Sequence, residues 1–102
     1  MKPSTMETAQ TAKAGLPNVS EVDDTLGYIY YKKKLPSVAI ASLRVSVAAQ
    51  PNNPLYLYHL GLAYAQNGDT ALARQHLEKA LKAQPNFDGA EEARKVLSSL
   101  KG

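Results

Sequence analysis

Residues 57–69 read LYHLGLAYAQNGD, an apolar run at helical spacing with Gly61 in its middle and a turn signal, Asn67-Gly68-Asp69, at its end. A glycine inside a helix costs about 1 kcal/mol against alanine, so this one asks for a packing reason. The spacing of the prolines supplies it. Pro17, Pro51 and Pro85 stand 34 residues apart, twice over. At the same offset Leu26-Gly27 matches Leu60-Gly61, Tyr30 matches Tyr64, Ala39 matches Ala73 and Leu43 matches Leu77. The chain is periodic, and a period in this range marks helical units that stack to bury one continuous core.

The second copy reads Leu57, Leu60, Gly61, Tyr64, Ala73, Leu77, Ala80, Pro85, and the first reads Asp23, Leu26, Gly27, Tyr30, Ala39, Leu43, Ser46, Pro51. This pattern resembles the tetratricopeptide repeat, whose signature runs W-x2-L-G-x2-Y, A-x3-F, P over 34 residues. Leucines replace the Trp and the Phe in the second copy. Asp23 and Ser46 depart from the aromatic and small-residue positions and point to a less tightly packed first unit. The phrasing is similar to that of bacterial multi-repeat members, as the C-terminal end of a longer array.

The resemblance implies an all-α solenoid of antiparallel helix pairs. Repeats are expected over 20–53 and 54–87, with half a repeat at 1–19 and a capping helix at 88–102. Helices are expected at 5–15, 21–33, 36–49, 54–67, 70–83 and 87–100. Gly61 is expected to face Ala73 and Ala80, and Gly27 to face Ala39 and Ser46, because two helix backbones approach closely only where side chains are small. Gly68 suits the left-handed exit of one helix and Asp69 the N-cap of the next. Pro36 suits a first turn. Lys34 aligns with Gly68, so a lysine is expected at positive φ, and Leu35 stands where Asp69 would cap.

Much chemistry is excluded at this level. There is no cysteine, hence no disulfide, thiolate metal site or cysteine nucleophile. His59 and His76 fall on different helices without further ligands, which reads as surface or groove polarity and no metal site. No serine sits in a nucleophile elbow, no glycine-rich phosphate loop occurs, and no catalytic residues or cofactor are expected. Asp23-Asp24 and Glu91-Glu92 are adjacent pairs that point about 100° apart on a helix and read as helix-start charge. The formal charge of +3 is mild, and Lys32-Lys33-Lys34 reads as a solvated helix end, so no nucleic acid is expected. No stretch approaches a membrane span or a signal-peptide apolar region, so membrane insertion is not expected and the compartment stays undetermined. A cytoplasmic or a periplasmic home would suit a piece of a longer bacterial protein.

What remains is surface. In the family the first helix of each pair lines a concave groove that takes extended or helical peptides. Carried over, the groove falls on Asp24, Tyr28, Tyr31, Leu55, Tyr58, His59 and Leu62, with Glu21, Lys32 and Gln66 beside them. The expected partner is a protein or peptide. The alternative is an assembly segment that ends a solenoid or self-associates, and the bared Ala9, Ala12 and Leu16 predict a concentration-dependent homodimer through the N-terminal helix. The carboxylate clamp with which some family members hold acidic chaperone tails is absent, because its positions carry Asp24, Tyr28, His59, Gly89 and Ala93.

Overall fold

The computed structural model describes residues 19–100. The expected helix at 5–15, and with it the helix-mediated homodimer, lies outside the described residues. Five α-helices follow in order: α1 Val19–Lys32, α2 Pro36–Ala49, α3 Pro54–Gln66, α4 Thr70–Ala83 and α5 Ala90–Ser99. α1 pairs with α2 and α3 with α4, α2 packs on α3 to stack the two pairs, and α5 closes against α4 and α3. The fold is an all-α repeat array.

α3 is the centre of the molecule. Its sequence, PLYLYHLGLAYAQ, is apolar almost all round, and every residue from Tyr56 to Tyr64 is buried. A helix without a polar face has to be covered on all sides, which the flanking helices do. Pro54 opens it at the first helical position, and the Asn53 side chain accepts from the N–H groups of Leu55 at 3.0 Å and Tyr56 at 3.2 Å. One core cluster gathers Ala39, Leu43, Leu60, Ala63, Tyr64 and Ala73 between the pairs. The other gathers Leu57, Tyr58, Leu62, Leu77, Ala80 and Ala93 under α5.

The close approach expected at the two glycines is filled first by a leucine of the facing helix, and at Gly27 the Ala39 carbonyl oxygen lies 3.3 Å from where a Cβ would stand. A Cβ on Gly61 would sit 2.7 Å from both Cγ and Cδ2 of Leu77, and one on Gly27 would sit 2.4 Å from Leu43 Cγ. The repeat thus lays a branched side chain directly over the bare backbone of the facing helix. Ala73 and Ala80 are fully buried beside that contact. Ser46, the departure from a small apolar residue, is also fully buried, and its hydroxyl donates to the Leu43 carbonyl at 2.8 Å.

Both helix pairs turn the same way. Leu35 N–H donates to Tyr30 O and Lys34 N–H to Tyr31 O, each at 3.0 Å; one period later Asp69 N–H donates to Tyr64 O and Gly68 N–H to Ala65 O. These are the paired bonds of a Schellman exit, which needs a left-handed residue. Gly68 supplies it with φ 86°, and Lys34 adopts it at φ 66°. Asp69 occupies the N-cap position of α4 without capping through its side chain, and its Oδ2 accepts from the Asn67 amide at 2.9 Å. The last helix begins at Ala90 rather than 87, since Gly89 is left-handed and Ala90 N–H turns back to Phe87 O.

Candidate functional site

α1 and α3 lie side by side with a cleft of about 450 Å³ between them. Glu21, Asp24, Thr25, Tyr28 and Ile29 line it from α1, Leu55, Tyr56 and His59 from α3, and Gln50 and Asn53 from the turn that closes one end. Of the residues expected in a groove, Asp24, Tyr28, Leu55 and His59 therefore meet in one place. Tyr31 adjoins through Tyr28, the two rings stacked at 5.8 Å.

The floor of the cleft is a hydrogen-bonded carboxyl–imidazole pair. His59 Nδ1 lies 2.8 Å from Asp24 Oδ1 and 3.0 Å from Oδ2, and both residues are buried. This corrects the reading of Asp24 as helix-start charge, and of the surface or groove polarity expected of His59 it leaves the groove. A buried carboxylate is tolerable only with a donor, which the imidazole is placed to supply. Tyr28 then stacks on the other face of the problem, its ring 4.2 Å from the His59 ring, while the Lys32 ammonium sits 5.3 Å from the Tyr28 centroid. The Tyr28 ring thus has three neighbours, His59, Tyr31 and Lys32.

Tyr58 and Leu62 do not reach the cleft. Both are buried in the cluster under α5. Tyr58 packs edge-on against Phe87 with centroids 5.6 Å apart, and its hydroxyl donates to Glu92 Oε1 at 2.9 Å. Burial, then the bond to the Glu92 carboxylate, push its phenol well above the ordinary tyrosine range. Tyr31 is also pushed up, by burial first and by Glu92 and Tyr28 after it, with Lys32 opposing. Gln66, beside the groove positions, donates through Nε2 to the Tyr31 carbonyl at 3.2 Å.

Sequence reasoning missed Ser20, Gln50, Tyr56 and Glu92. Gln50 Nε2 donates to Ser20 Oγ at 3.3 Å, and that oxygen is 3.4 Å from the Tyr56 hydroxyl. The Asn53 amide holds Gln50 Oε1 at 2.9 Å, so the cap of α3 and the end of the cleft are one network. A signal for these residues existed in the period itself. Ser20 and Tyr56, Asp24 and His59, Tyr31 and Gln66, and Tyr58 and Glu92 are separated by 36, 35, 35 and 34 residues. Neighbouring first helices bring residues about one repeat apart together.

Among the described residues, no group of three or more His, Asp or Glu side chains is placed to hold a metal ion, and no helix is long and apolar enough to cross a membrane. No curated protein matches the sequence. The family model described as Tetratricopeptide repeat matches residues 25–86, more than half of the chain. With the stacked helix pairs, the glycine under a leucine and the paired Schellman turns, that match shows that the chain belongs to the tetratricopeptide repeat family, whose members generally serve as protein–protein interaction modules.

Proposed function

We propose that the chain binds a peptide or protein segment along the cleft between α1 and α3, without catalysis of its own. The observation that supports this reading is the clamped aromatic row. Tyr28, stacked on His59 and Tyr31, is half-buried and presents area whose rotamer is already frozen, so contact with a partner costs little further side-chain entropy. Leu55 stands exposed on the opposite wall as an apolar anchor point. Asp24, Tyr58, His59 and Leu62 act beneath that surface, as the support that holds the anchors. Glu21, exposed along the cleft, disfavours an acidic partner tail by like charge.

The test is selection of binding peptides from a displayed random library on the wild-type chain, followed by titration of the selected peptide against variants. Tyr28→Ala and Leu55→Ala are expected to weaken binding by about 1–3 kcal/mol each, with helical content unchanged. Gln75→Ala and Lys79→Ala, exposed on α4, are the controls and are expected to bind as wild type. Equal losses from cleft and control positions would overturn the reading.

A further inference from the structure

α1 carries an apolar stripe that the fold leaves bare. Val22, Leu26 and Ile29 recur at helical spacing and are 53 %, 42 % and 44 % exposed. One period later the same positions are Tyr56, Leu60 and Ala63, at 4 %, 1 % and 0 %. The difference is cover: α2 lies over α3, with Leu43, Ile40 and Val47 packed in the cluster that includes Leu60 and Ala63. Among the described residues no helix covers the stripe on α1, and as an exposed apolar patch it marks an interaction surface.

The occupant follows from composition and charge. The outer face of α5 does not match the stripe, since it turns Glu91, Arg94, Lys95 and Ser98 outward. Head-to-tail stacking would press those charges against Leu26. The face does complement itself. Asp23 stands near the start of α1 and Lys33 just past its end, so an antiparallel pair of α1 helices lays each Asp23 beside the other copy's Lys33 while the stripes meet. We propose that two copies of this chain pair through the α1 stripe about a two-fold axis, a closed arrangement that cannot propagate into a filament.

Sedimentation velocity of the full chain over a range of concentrations tests this. The expected result is a shift from monomer to dimer with rising concentration, lost in Leu26→Glu, whose far-ultraviolet circular dichroism stays that of wild type because Leu26 is exposed. Asp23→Lys is expected to weaken the dimer, and Asp23→Lys combined with Lys33→Asp to restore it, which a merely hydrophobic association would not do. A monomer at every concentration, including one whose upstream residues cover the stripe, would overturn the proposal. So would a dimer that survives Leu26→Glu. Leu26, unlike Ile29, does not line the cleft, so peptide binding there is read separately on the Leu26→Glu protein.

Discussion

His59 sets its Nδ1 between both oxygens of Asp24, at 2.8 and 3.0 Å, and the pair ties α3 to α1 from within the protein. A hydrogen bond to a buried charged group is worth about 1.5–3 kcal/mol, and stranding the charge costs more than removing both partners. His59→Leu is therefore expected to destabilise the fold by about 2–3 kcal/mol or more. Asp24→Leu removes the charge along with the bond and should cost less. The double variant should cost less than the sum of the two, by about 1 kcal/mol or more of coupling. Urea denaturation of the four proteins measures the cycle, and strict additivity would show the pair is not coupled.

Gly61→Ala sets two effects against each other. Helix propensity favours alanine by about 1 kcal/mol. The new Cβ, however, would stand 2.7 Å from two branched atoms of Leu77 and 3.3 Å from its backbone nitrogen, so both side chain and helix must shift. Overpacking of this kind costs about 1–3 kcal/mol and should win. A lowered denaturation midpoint is the expected outcome.

Lys34→Gly should move stability the other way. The lysine is the non-glycine residue at positive φ among those described, φ 66°, and its aligned partner Gly68 shows what the turn prefers. Relief of the left-handed backbone is expected to raise stability by about 1 kcal/mol, read as a higher midpoint at unchanged slope. A fall would mean that the unfolded chain's gain in freedom outweighs the strain.

Gln66 offers a test of what an orphaned acceptor costs. Its Oε1 is buried without a hydrogen-bond partner. The Tyr31 carbonyl that its amide serves also receives the Lys34 N–H at 3.0 Å and would not be stranded by its loss. Gln66→Met, which keeps the volume, is expected to change stability by no more than about 1 kcal/mol, towards neutral or stabilising. A large loss in thermal denaturation would show that the amide is indispensable.

Helix positions and turns were legible from the 34-residue period because each rests on local chemistry: proline at a first turn, a left-handed residue at an exit, apolar residues at helical spacing. Side-chain partners were less so. Gly61 with Ala73 and Ala80 marked a close helix approach, but the pattern does not say that the Leu77 side chain lies directly on the glycine, which opens room for a branched side chain as well as for a backbone. Asp24 and His59 were each placed in the groove but judged singly. Read with the period, a carboxylate and an imidazole 35 residues apart on neighbouring first helices become partners. Tyr58 looked like a groove anchor because the cover it receives from Phe87 and α5 belongs to a segment that lacks the repeat signature.

The buried phenol of Tyr58 ties stability to alkaline pH. Its folded pKa is raised far above the ordinary value of about 10, by burial first and then by Glu92, and Tyr31 is raised for similar reasons. The unfolded chain releases these protons at about pH 10 while the folded chain still holds them. Rising pH therefore favours the unfolded state: the contribution is whole below about pH 10 and is lost progressively above it. Spectrophotometric titration should find that, of six tyrosines, Tyr58 and Tyr31 ionise late or only as the protein unfolds. Tyr58→Phe removes the group that titrates as well as its bond to Glu92. It should lower the urea midpoint at neutral pH yet make that midpoint fall less steeply between about pH 9 and pH 11 than in wild type. Parallel curves for the two proteins would show that the Tyr58 phenol ionises alike in the folded and unfolded chains.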